Sequence, residues 1–218
     1  TTHFTNCELL IMKQKLDLTT WNRKEHFLFF KQMEEPFYGI TTSIDCTKAY
    51  AKAKELGVTF FSYYLHKTLS AVNAIENFRY RIIKDEVYVF DVIDASATVM
   101  REDTTFGFSY MPFSEEIIGF AKTVQTEIER IQSTTGVFTR EYPENLIHFS
   151  ALPWINFSSL SHARSFTWPD SCPKISYGKL IDENGTKSMP VSIHVHHGLV
   201  DGYHVGLFLD ALQQLMNE

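Results

Sequence analysis

The chain has 218 residues, 44% hydrophobic and 21% charged, with a formal net charge of −6 at pH 7. This fits one domain with a well-filled core, and the acidic balance excludes a broad electrostatic attraction to nucleic acid. No apolar stretch is long enough to cross a bilayer as a helix. The three cysteines (Cys7, Cys46 and Cys172) are scattered without metal-ligand spacing and suit a reducing compartment, so a cytoplasmic location is expected.

Residues 1–11 lack the basic start and long apolar middle of a signal peptide. Met12 before Lys13-Gln14-Lys15 reads as a natural start. Residues 1–11 are therefore expected to be an added extension, and residues 12–218 a single domain. Thr20 is the expected N-cap of a first helix through Phe27. A Thr/Ile-rich extended stretch over 37–45 follows, then a short helix from Cys46-Thr47 that Gly57 can end.

Thr59 predicts the cap of a longer helix through Ile75, with Phe61, Leu65, Leu69 and Val72 at helical spacing. Residues 79–83 and 87–90 read as a hairpin, and 98–110 as two short strands. Ser114 is the expected start of an amphipathic helix to about Gln132. Residues 146–152 read as a strand, and 154–173 as a Pro/Ser-rich loop. Residues 175–181 and 188–195 are expected to pair across Asp182-Glu183-Asn184-Gly185, and a last helix to run from Tyr203 to about Met216. Strands and helices intermix without strict βαβ rhythm, which predicts an α/β mixed sheet covered by helices.

The segment 192–204 carries the chemistry. Strand alternation places Val191, Ile193, Val195 and His197 on one face, and Ser192, His194 and His196 on the other. An imidazole at a strand end beside an apolar row can offer a lone pair to a hydroxyl proton, the requirement of a general base. The plainer readings are a hydrogen-bonded structural histidine and, for Asp201, a helix N-cap. Four histidines within eleven residues also raise metal binding. However, His194 and His196 share a face that His197 does not, and no cysteine or carboxylate cluster completes a tetrahedral set, so no metal is expected.

His196-His197-x-x-x-Asp201-Gly202-Tyr203-His204 resembles the active-site signature of chloramphenicol acetyltransferases. A looser His-x-x-x-Asp-Gly also marks dihydrolipoyl acyltransferases. Trp21-Asn22-Arg23-Lys24-Glu25-His26-Phe27, Pro143-Glu144-Asn145 and the run from Phe149-Ser150-Ala151-Leu152-Pro153-Trp154 to Phe157 resemble further blocks of the first family. The likeness spans about Leu16 to the C-terminus. The absence of a lipoyl domain and an Ala/Pro-rich linker disfavours the second family.

The resemblance implies a two-layer CoA-dependent acyltransferase fold and a homotrimer with active sites between subunits, His197 of one chain facing the pocket wall of its neighbour. It implies direct transfer of acetyl from acetyl-CoA to the primary hydroxyl of chloramphenicol, hence antibiotic resistance, with no acyl-cysteine. His197 matches the general base. Ser150 matches a serine that donates to the oxyanion, a role worth about 2.7–4 kcal/mol of barrier. Asp201 matches an aspartate that pairs with Arg23 and shapes the turn. Among substrate-side positions, Phe106 matches a pocket wall, Ser176 stands for a water-binding threonine, and Phe30 replaces a common tyrosine. Trp154 falls near the CoA channel, and ordinary core packing is the alternative for it and for Phe106.

Gly198, Leu180 and Phe30 depart from the family pattern. They keep open a same-fold acyltransferase for another alcohol, and a ligand-binding module that has lost transfer.

Overall fold

The computed structural model describes residues 12–165 and 169–218, so the expected extension at 1–11 and part of the 154–173 loop lie outside the described residues. The elements in chain order are β1 (Lys13–Lys15), α1 (Lys24–Phe30), β2 (Phe37–Asp45), α2 (Thr47–Leu56) and α3 (Phe60–Ala74). There follow β3 (Tyr80–Ile83), β4 (Glu86–Phe90), β5 (Asp94–Met100), β6 (Phe106–Phe108) and α4 (Ile117–Gln132). β7 (Leu146–Ala151), β8 (Lys174–Tyr177), β9 (Ile181–Glu183), β10 (Thr186–His196) and α5 (Gly202–Met216) complete the chain.

The main sheet runs β2-β10-β8-β7-β5-β6, with β9 also on β10. Its β5–β7 and β7–β8 pairs are parallel and the others antiparallel, which makes the sheet mixed. A small sheet, β1-β4-β3, extends the expected hairpin by one strand. Val191, Ile193 and Val195 of β10 are buried with Ile175, Tyr177, Ile147 and Phe149 in one core that α3 and α5 help to build. α3 packs against α2, α4 and α5, while α2, α4 and α5 also touch the strands. This is the expected two-layer α/β arrangement.

Alternate residues face away from that core. Thr41, Ser192, Ser176 and Ser150 are in register across β2, β10, β8 and β7, forming a row of hydroxyls on the sheet's other face. The Thr41 hydroxyl donates to Ser192 Oγ at 3.2 Å.

Local chemistry explains where element limits differ from expectation. The first helix starts at Lys24, not after Thr20, because Asp17 organises a turn upstream. Its carboxylate accepts from Thr19 N and Oγ1, and its carbonyl accepts from the backbone N–H groups of Thr20 and Trp21. α4 starts at Ile117, capped by the Glu116 carboxylate on Ile118 and Gly119 N–H, while the carbonyls of Ser114 and Glu115 both engage His66 Nε2. The expected strand 175–181 breaks after Tyr177. There Pro190 offers no N–H to a neighbour, and Lys179 N–H donates to Ile155 O instead.

Candidate functional site

The expected site residues fall into two groups. The first gathers at the end of β10. Backbone pairing of β10 with β2 runs through His196↔Phe37, and His197 N–H then donates to Pro36 O at 2.9 Å. The His197 ring lies flat on Phe30, with 4.0 Å between centroids and 6° between planes. It also meets Tyr38 at 4.5 Å, tilted by 43°. His197 Nδ1 is buried without a hydrogen-bond partner in the described chain.

An ion pair braces the turn that follows. Arg23 Nη1 donates to Asp201 Oδ2 at 2.6 Å, and Arg23 Nη2 donates to the His197 carbonyl at 3.3 Å. Arg23 is 9% exposed, so this is no surface pair. Burial pushes the Asp201 carboxyl up, but the Arg23 hydrogen bond and the charges of His204 and Arg23 outweigh it, and the net shift is downward. Asp201 is also the N-cap of α5, accepting from Tyr203 N–H, while His204 Nδ1 accepts from Asp201 N–H. The plain N-cap reading and the ion-pair reading of Asp201 thus hold together.

The neighbouring His196 is packed inside the fold. His196 is 4% exposed, and burial, then the Arg164 charge, lowers its pKa to about 4. Its Nδ1 accepts from Gly198 N–H, and a Cβ on Gly198 would crowd that ring at 3.0 Å and the Phe27 Cα at 3.2 Å. The glycine therefore leaves room for the ring. Among the described residues, no group of three or more His, Cys, Asp or Glu side chains could hold a metal ion. Cys46 is buried in the core, with its thiol pushed up to about 12 by burial, and Cys172 Sγ donates to Leu146 O. Neither forms a disulfide.

The second group lines a cleft of about 410 Å³ on the sheet's other face, where Ser150, Ser176, Phe106 and Trp154 meet. Phe106 is 45% and Trp154 64% exposed, so neither is core in this chain. Leu180, by contrast, packs against the core. Ser176 Oγ is buried and unpartnered in the described chain.

Within one chain the two groups stay apart. Ser150 pairs with Ser176, which pairs with Ser192, and His197 lies five residues further along. At ordinary strand spacings this is roughly 17 Å along the strand and roughly 10 Å across it. Tyr38 and His162 are site neighbours that sequence reading missed. Tyr38 reaches His197 only because β2 pairs with β10, and His162 reaches the cleft from the segment between β7 and β8.

A mixed sheet under helices is also the fold of the cubic core of the pyruvate dehydrogenase multienzyme complex, whose solved structure matches at a TM-score of 0.63. With 14% identity, over 89% of this chain and 86% of that one, the likeness is one of fold alone. The family model for chloramphenicol acetyltransferase matches residues 12–213. Chloramphenicol acetyltransferase 3 of Escherichia coli is 33% identical, over 93% of this chain and 96% of that protein. A solved chloramphenicol acetyltransferase has a TM-score of 0.87 at 31% identity, covering 94% of this chain and all (100%) of that one. In class, then, the protein is an acyltransferase. It belongs to the chloramphenicol acetyltransferase family.

Proposed function

We propose that the protein transfers acetyl from acetyl-CoA to the primary hydroxyl of chloramphenicol, giving resistance to it, and that it works as a cytoplasmic homotrimer with active sites between chains. The observation that carries the chemistry is the His197 imidazole. Two aromatic rings fix it, and the backbone behind it is tied to the Arg23–Asp201 pair. A base so held loses little freedom when the acceptor arrives.

His197 takes the hydroxyl proton as the acceptor oxygen attacks the thioester carbonyl. Ser150 donates to the resulting oxyanion. Collapse expels the CoA sulfur, which takes the proton from the imidazolium, so the base is regenerated. Arg23 and Asp201 act as positioning residues. Phe106, Ser176 and Phe30 border the acceptor, and Trp154 borders CoA.

The separation of His197 from Ser150 within one chain supports a site assembled from two. A trimer closes by a head-to-tail interface, which can bring unlike ends of neighbouring chains together. Exposed apolar side chains at both ends, Phe29 at 59% and Phe106 at 45%, fit such a boundary. Free cysteines and an intracellular cosubstrate fit the cytoplasm.

The test is CoA thiol release on adding chloramphenicol to protein and acetyl-CoA. Release dependent on the antibiotic is expected, with His197→Ala at least about 10²-fold slower. No antibiotic-dependent release from the wild-type protein would refute the reading.

A further inference from the structure

One wall of the Ser150 cleft is a histidine for which the transfer chemistry has no use. Nε2 of His162 is buried and has no hydrogen-bond partner in the described chain, yet His162 lines the cleft together with Ser150 and Ser176. The residue lies between β7 and β8, where the described part of the segment packs against β10 and β2 through His162 on His194 and Arg164 on Phe37.

Its position is built, not incidental. The His162 ring stands edge-on to His194, with 4.8 Å between centroids and 90° between planes. His194 in turn occupies the space above Gly39, where a Cβ would come within 2.3 Å of the ring. β2, β10 and this segment thus cooperate to hold one imidazole at the cleft. Met100, Leu152, Phe106, Trp154 and Leu160 make much of the remaining wall apolar.

Burial first, then the charges of His194 and Lys174, lowers the His162 pKa to about 4. Near pH 7 the ring is neutral, and Nε2 donates or accepts according to tautomer. An unpaired polar atom among apolar walls favours a ligand that brings the missing partner, and it rejects one that leaves the atom dry.

We propose that His162 is an acceptor-recognition residue, whose Nε2 hydrogen-bonds an uncharged hydroxyl or amide group carried by the alcohol beside its reacting hydroxyl. This rests on the acetyl-transfer reading and deepens it by naming what selects the acceptor. Chloramphenicol carries such groups, a secondary hydroxyl and an amide. 3-Phenylpropan-1-ol has the aromatic ring and primary hydroxyl but neither group.

Calorimetric binding and steady-state kinetics of both alcohols, on wild type, His162→Leu and His162→Gln, test the assignment. For His162→Leu, Kd and KM for chloramphenicol should rise about tenfold, equivalent to about 1.4 kcal/mol. Its kcat should stay within about threefold of wild type, because no contact to the reacting atoms is removed. 3-Phenylpropan-1-ol should be unaffected, and His162→Gln should recover part of the loss. If His162→Leu fails to fold by circular dichroism, His162→Phe, which keeps a flat ring, takes its place.

Unchanged chloramphenicol binding in the variant, or equal loss for both alcohols, overturns the proposal, as does a wild type that does not bind chloramphenicol. A wild type that binds chloramphenicol but releases no CoA refutes the transferase reading alone. The Kd comparison then still decides the role of His162.

Discussion

Arg23 and Asp201 are 178 residues apart in sequence yet share a 2.6 Å hydrogen bond. Sequence reading pairs them by family likeness and leaves open whether the pair is on the surface or buried. The structure answers with a nearly buried guanidinium and a half-buried carboxylate. Arg23→Ala should cost roughly 2–4 kcal/mol in urea unfolding, between the values for exposed and fully buried pairs. The pair also sets an acid dependence. Because the folded carboxyl titrates below its usual range, its stabilisation is complete above the unfolded pKa of about 3.9 and is lost as pH falls through the folded value. Asp201→Asn should therefore flatten the loss of stability below about pH 4, measured by urea midpoints across pH. An acid limb as steep as wild type would contradict this. The place of His197 just past the end of β10 follows from strand phase. Its stacking on Phe30 and Tyr38 was not legible in the sequence, because cross-strand and helix-to-strand neighbours are set by topology.

At the scale of elements, the clearest sequence signals were those with both a period and a stop. β2 matches its expected span of 37–45 to the residue, and α2 ends at Gly57 with φ 68°, as its left-handed cap requires. Thr59 caps α3 by accepting from Ser62 N–H. The beginnings of α1 and α4 each lie about three residues later than expected, because Asp17 and His66 claim backbone groups from outside the helices. The β10–β2 pair carries a constraint that no local pattern reveals: Gly39 stands opposite His194. Gly39→Ala should force that ring away and cost about 1–3 kcal/mol, as overpacking does. Adding His194→Ala should relieve most of the cost, so the two changes should be strongly non-additive in urea unfolding. Simple addition would mean that the ring does not fill the glycine's space.

For the whole molecule, the mixed sheet under helices follows from the intermixed elements. What a single chain's sequence could not convey is that its site residues split into two groups. His197, Phe30, Arg23 and Asp201 sit at the end of β10, and Ser150, Ser176, Phe106 and Trp154 sit across the sheet. On the proposed reading, a cross-chain site joins them. Such a site also makes subunit association a condition of activity, so dilution below the association threshold should abolish turnover while each chain keeps its secondary structure.

The decisive measurement uses two variants that are each deficient, His197→Ala and Ser150→Ala, unfolded together and refolded as a one-to-one mixture. If the imidazole of one chain works with the hydroxyl of the next, random assembly restores both groups at about a quarter of the sites in a closed ring of like interfaces. Antibiotic-dependent CoA release should then return to about that fraction of wild type. Activity no greater than the mean of the two variants refolded separately would mean that the imidazole of one chain does not work with the hydroxyl of another, and the cross-chain account of the reaction would fail.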